Sequence, residues 1–191
     1  MSPRPRDTSL GSGVYFKSED YIGLGKRLVI LVVDLLVVAA SIVSSLLMGV
    51  IVSLFFGDVE PLFVLACLIW IWLYLTAIKA SPTRTLGYRA VGAKIITLRG
   101  EQPSIFRMTL RSSLWILGPF NLLYDLLWTT VDDESQTLRD RFAGTYVVKA
   151  GAEPIGKGEI HIARYTVLGY NFAYEHVSHI RPKAQAAQLA P

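Results

Sequence analysis

Arg27 and Asp34 stand at the start of a long apolar run, seven residues apart. That spacing is close to two helical turns, so both lie on nearly one helix face, and Ser41 continues it two turns further. A carboxylate inside an apolar helix costs about 2.5–3.5 kcal/mol at the bilayer centre on insertion scales, so it faces a partner or water rather than lipid. Two chemistries fit Asp34: contact with an ion or solute, or a structural ion pair near the membrane interface. Asp125 offers a related choice. It follows a Gly118-Pro119 break in a later apolar region, where a helix start near Phe120 would favour an anion and Asp125 a cation or proton.

Other chemistry is sparse. His161, His176 and His179 fall together in the C-terminal part, beside Glu175. His176 and His179 have the i, i+3 spacing that shares a metal on a helix, but no zinc motif accompanies them, and no metal or other cofactor is expected. The chain lacks the Gly-x-Ser-x-Gly, Walker A, dinucleotide-binding and His-Glu-x-x-His patterns, which argues against an enzyme. Its basic stretch contains no nucleic-acid module, so the expected source of negative charge is anionic lipid.

The elements that must position these residues belong to a membrane protein. Of 191 residues, 52% are apolar and 18% charged, with a mean hydropathy of +0.41. That balance excludes disorder over most of the length, and the single Cys67 excludes a disulfide scaffold. The first apolar run, Leu28 to Phe56, exceeds the roughly 20 residues that cross a hydrocarbon core, so it tilts or extends beyond the bilayer at one end. Gly57-Asp58-Val59-Glu60-Pro61 supplies a turn, and Leu62 to Ile78 reads as the return helix of a hairpin. Ser41, Ser45 and Gly49 form a small-residue stripe suited to helix packing. A third apolar region, Ser112 to Thr130, forms either one broken span or a re-entrant hairpin. The stretch Ala93 to Leu98 is strand-like, as is Glu159 to Tyr165, while Ser104 to Arg111 reads as an interfacial helix with Ile105, Phe106 and Leu110 toward lipid. The expected fold class is therefore an all-α integral membrane protein: a helical hairpin, a third broken or re-entrant apolar segment, and a small cytoplasmic β-like loop. Residues 1–20 read as a flexible tail, 21–149 as the membrane domain and 150–191 as a cytoplasmic C-terminal tail.

Charge placement sets the orientation. The turn at Gly57 to Pro61 carries no Lys or Arg, whereas Lys79 to Arg111 carries seven. The positive-inside rule puts the N-terminus and this loop in the cytoplasm. Arg84, Arg89, Lys94, Arg99, Arg107 and Arg111 are then expected to face anionic headgroups, at about 1 kcal/mol per basic residue near the surface.

Taken together, these pieces resemble the RDD family of small bacterial membrane proteins, named for one arginine and two aspartates. The similarity starts at Gly25-Lys26-Arg27 with Asp34, and continues through Thr85-Leu86-Gly87-Tyr88-Arg89-Ala90-Val91-Gly92 and Arg111. It closes on Gln136-Thr137-Leu138-Arg139-Asp140-Arg141-Phe142-Ala143-Gly144-Thr145-Tyr146-Val147-Val148. The resemblance implies Arg27, Asp34 and Asp140 as the signature trio, with Asp125 as the alternative for third place. It further implies a multi-pass protein of the bacterial cytoplasmic membrane and movement of an unspecified ion or small solute. The rival expectation is a membrane-anchored interaction or lipid-binding module. Two or three spans offer little room for a complete path, so a homo-oligomer or another membrane protein is the expected partner.

Overall fold

A computed structural model describes residues 9–114, 125–130, 132–167 and 170–178. The first apolar run forms α1, Leu24–Phe56, and the return run forms α2, Glu60–Leu73, with Pro61 in its first turn. A π-helical turn, Tyr74–Ile78, carries α2 on towards Lys79. By length and composition, α1 and the continuous stretch Glu60–Ile78 suffice to cross a membrane. Their outer faces are open: Leu36, Leu54 and Phe55 of α1 and Leu62 and Leu68 of α2 are each at least 60% exposed.

The small-residue stripe joins the two helices. Ser45 Oγ donates to the Phe63 carbonyl at 2.8 Å, Trp70 Nε1 donates to Ser41 Oγ at 3.2 Å, and Gly49 lies against Phe63. Any side chain at Gly49 would crowd Phe63, so the small residue sets the helix separation.

The all-α expectation is overturned. Two antiparallel sheets stand at the Leu24 end of the hairpin. One joins β2, Ala93–Thr97, to β3, Thr145–Lys149. The other has the order β1-β4-β5, from Ser12–Tyr15, Gly156–Val167 and Tyr170–Val177. The reason lies in β3, a run of Thr, Tyr and Val buried on both faces, which therefore lacks the alternation of a half-exposed strand. On one side Ile96, Tyr146 and Val148 pack with Val14, Ile160 and Val177 of the three-stranded sheet and with Phe16, which follows β1. On the other, Ile95 and Val147 pack with Ile30, Tyr88 and Met108 from the helical part. The two-stranded sheet is thus the middle layer.

Several expectations change with this arrangement. Residues 12–15, read from sequence within a flexible tail, form β1, and its Val14 amide donates to the Leu98 carbonyl at 2.8 Å. Much of the segment read as a C-terminal tail forms the β4–β5 pair, where His161 stands opposite His176. His176 is thus on a strand rather than a helix, while His179 lies outside the described residues. Residues 115–124, which include the Gly118-Pro119 break, also lie outside them.

The excess length of α1 has a use. Asp34 lies beside the end of the return helix, so the turns from Leu24 to Asp34, about 15 Å, project past the hairpin into the sheets. Because β1 pairs with β4 and the Ile22 amide donates to the Val147 carbonyl at 3.0 Å, the N- and C-terminal strands share one side of the hairpin. Cysteines placed at Arg89 and Glu159 are therefore expected to react from one side of the membrane, and one at Asp58 from the other. An impermeant thiol reagent on intact cells, compared with lysed cells, checks this.

Candidate functional site

Asp140 is the best-buried carboxylate at the junction of helices and sheets, with no exposed surface. It sits in the first turn of α5, Leu138–Ala143, where Thr137 and Asp140 cap one another: each side chain accepts the other's backbone N–H at 3.2 Å. Both carboxylate oxygens also meet arginine. Arg27 Nη1 lies 2.7 Å from Oδ2, and Arg111 Nε and Nη2 lie 2.6 Å from Oδ1. Arg27 comes from α1 and Arg111 from α4, Ile105–Ser113. Burial alone would raise the Asp140 carboxyl, but the Arg111, Arg27 and Arg139 charges outweigh it and hold the group below the usual carboxylate range.

All three nitrogens of Arg27 are engaged with groups other than Asp34. Its Nε donates to the Ile22 carbonyl at 2.8 Å and its Nη2 to the Ser135 carbonyl at 2.7 Å. Asp34 instead pairs with Lys79, whose Nζ is 3.3 Å from Oδ2. Three further donors complete its shell: the Tyr74 hydroxyl at 3.1 Å, the Thr85 hydroxyl at 3.0 Å and the Gly87 amide at 3.0 Å. Gly87 is the second residue of α3, Leu86–Ala90, where a Cβ would stand 2.5 Å from the Ile30 carbonyl oxygen and 2.7 Å from Asp34 Oδ1. Only glycine permits that approach.

Asp125 forms a third pair. Its Oδ1 accepts the Arg139 amide at 2.9 Å, and its Oδ2 lies 2.9 Å from Arg139 Nε as an ion pair off the hydrogen-bonding line. Burial and the Arg111 charge lower the proton affinity of Arg139 more than Asp125 and Asp140 restore it. Arg27, Asp34, Lys79 and Arg139 line one cavity of about 220 Å³, walled on its apolar side by Leu31, Leu35 and Val38. The arrangement places the Asp34–Lys79 pair on the wall of a cavity that is apolar on one side and charged on the other.

A model of the RDD family matches residues 21–144. The chain belongs to the RDD family. No curated protein and no solved structure matches it. The RDD match spans α1 through α5, so Arg27, Asp34, Asp125 and Asp140 all lie within it, while the strands from β3 onward lie beyond it. RDD membership and the two apolar helices make this a membrane protein.

Of the basic residues expected to face lipid, Arg89 and Arg99 are exposed. Arg84 donates to the Ala93 carbonyl, Lys94 to that of Ala152, and Arg107 to those of Ala143 and Gly144. Arg111 is a correction: it is 3% exposed and belongs to the Asp140 cluster. A signal for this exists in the sequence. If Phe106 faces lipid, Arg111 lies about 140° round the same helix and must face protein. The partners of Asp34, namely Lys79, Tyr74, Thr85 and Gly87, went unassigned because they lie on segments brought together only by the hairpin.

Two outcomes follow from the geometry. Asp140→Asn strands two buried guanidiniums and should cost about 3–5 kcal/mol of stability. Because the folded carboxyl titrates below its unfolded value, its stabilisation is complete above about pH 4 and disappears as pH falls through the folded value. The thermal midpoint of the purified protein should drop steeply in that acid range, and the Asp140→Asn protein should lack that component of the drop. For Asp34, Asp34→Asn should destabilise by a similar amount, with Lys79→Met restoring folded protein and Arg27→Gln failing to do so. Folded yield by size-exclusion chromatography distinguishes the two double variants.

Proposed function

We propose that this protein is a multi-pass component of the bacterial cytoplasmic membrane that moves, or takes part in moving, an ion or small solute. The supporting observation is the Asp34–Lys79 pair, which meets the 220 Å³ cavity where α1 and α2 leave their apolar stretch. Ionisable groups in such positions are costly to hold and mark pathways by default. Lysine is a partner that releases its charge, whereas arginine keeps it. A proton or cation arriving at Asp34 therefore frees Lys79, while the Arg27–Asp140–Arg111 cluster stays fixed.

The orientation follows the basic residues: the side carrying both sheets is cytoplasmic and the turn around Gly57–Val59 is outside. Two apolar helices with exposed outer faces enclose little by themselves. A second copy or another membrane protein completes the path, and the chemistry is binding and displacement rather than covalent catalysis.

Ion flux in proteoliposomes tests this reading. The wild type should conduct or exchange an ion, and the folded Asp34→Asn/Lys79→Met double variant should lose at least about 90% of that flux, the tenfold change that about 1.4 kcal/mol of lost binding produces. Undiminished flux in the double variant would overturn the proposal. No flux in the wild type, together with co-purification of a stoichiometric partner, would replace it with the membrane-anchored interaction module.

A further inference from the structure

A second cavity, about 360 Å³, lies between the end of α2 and the protein-facing side of α4. One helical stripe forms its wall. Leu68, Ile71, Trp72 and Leu75 recur at i, i+3, i+4 and i+7, and the stripe continues through Thr76 to Lys79. Its membrane end is open, with Leu68 60% and Trp72 44% exposed. Its inner end is cationic, lined by Lys79, Arg111 and Arg139. The cavity is therefore apolar where it meets lipid and positive where it meets the sheet domain.

Charge counting in the cluster points the same way. The Lys79–Asp34 and Arg139–Asp125 pairs are each neutral, while Arg27, Arg111 and Asp140 together carry one positive charge in excess, and Arg111 lines the cavity. A buried cation in excess of its carboxylates is disfavoured without an anion beside it. The hydroxyls along α4 do not offset it. Thr109 and Ser113 donate to the Ile105 and Leu110 carbonyls of their own helix.

We propose that this cavity binds one anionic phospholipid, its headgroup phosphate between Lys79 and Arg139 and an acyl chain along Leu68, Ile71 and Trp72. The phosphate supplies an anion to the end lined by Lys79, Arg111 and Arg139, and the stripe supplies a surface continuous with the bilayer for the chain. This site differs from the attraction of exposed Arg89 and Arg99 to a leaflet, which is diffuse and does not saturate at one lipid. It also stands independently of solute movement: lipid occupancy is measured without flux.

The test uses the purified full chain in non-ionic detergent, titrated with phosphatidylglycerol, phosphatidylcholine, palmitate or inorganic phosphate, with native mass spectrometry counting bound molecules. One phosphatidylglycerol per chain should be retained, roughly tenfold more tightly than phosphatidylcholine, as two nearby basic groups imply. Inorganic phosphate at the same concentration should not displace it, since it lacks the acyl chain. Thr109→Trp fills the cavity from the α4 side without touching an ion pair and should abolish the saturable site while leaving the lipid-free thermal midpoint unchanged. Should that variant not fold, Ser113→Phe blocks the same cavity and carries the same expectation. Equal retention of the two phospholipids, or wild-type retention by the folded blocked variant, would overturn the proposal. Equal competition by palmitate or by inorganic phosphate would overturn it in favour of a fatty-acid site or a plain anion site respectively.

Discussion

The junction between the membrane hairpin and the sheets depends on one carboxylate. Asp140 belongs to a six-residue helix too short to be stable alone, yet it ties α1, α4 and its own helix start together. Neither oxygen faces water, so the desolvation cost must be offset inside the protein. Two arginines and the Thr137 amide do so. The same geometry explains why α1 is longer than a bilayer requires. Its surplus turns carry Arg27 out of the apolar stretch to a fixed position against the sheet domain, where Ile22 and Ser135 hold the rest of the guanidinium.

Asp34 obeys the same electrostatic rule with a different kind of partner. Around Asp140 the cations are arginines, charged at any pH a cell meets and bound through a rigid planar fork. Around Asp34 the cation is a lysine on a flexible stem, assisted by two hydroxyls and an amide. The first centre is built to stay as it is; the second contains a group that can lose its proton or move aside. Arg27 and Asp34 both lie on α1, two turns apart, so one helix contributes a charged side chain to each centre.

Much of the helical part was legible in the sequence because its causes are local. Apolar length defined α1 and the return helix, and the small residues at 41, 45 and 49 marked the face between them. Arg27 and Asp34 stood out because charge is rare in such runs. Most of the sheets were hidden for the opposite reason. Strand β1 is Ser-Gly-Val-Tyr, too short and too polar to signal itself, and it is ordered by pairing with β4 more than 140 residues later. β2 was visible as a strand, but its partner β3 lies far along the chain rather than in a local hairpin. Pairing of Asp34 with Lys79 was likewise undetermined, since spacing along α1 named Arg27 as a candidate and the fold gave Arg27 to Asp140.

That allocation also decides how the second centre is framed. Arg27 clamps the first turns of α1 through three separate nitrogens, so Asp34, on the same helix, is held in place from one side. The remaining groups around it, Tyr74, Lys79, Thr85 and Gly87, all come from the segment that follows α2. That segment begins with the π-helical turn Tyr74–Ile78, a form that recurs at functional sites because its wider turn is less favourable than the α-helix it interrupts. Asp34 is therefore framed on one side by α1, which Arg27 ties to Asp140, and on the other by the end of α2, whose Leu75 carbonyl also accepts the Ser112 hydroxyl of α4.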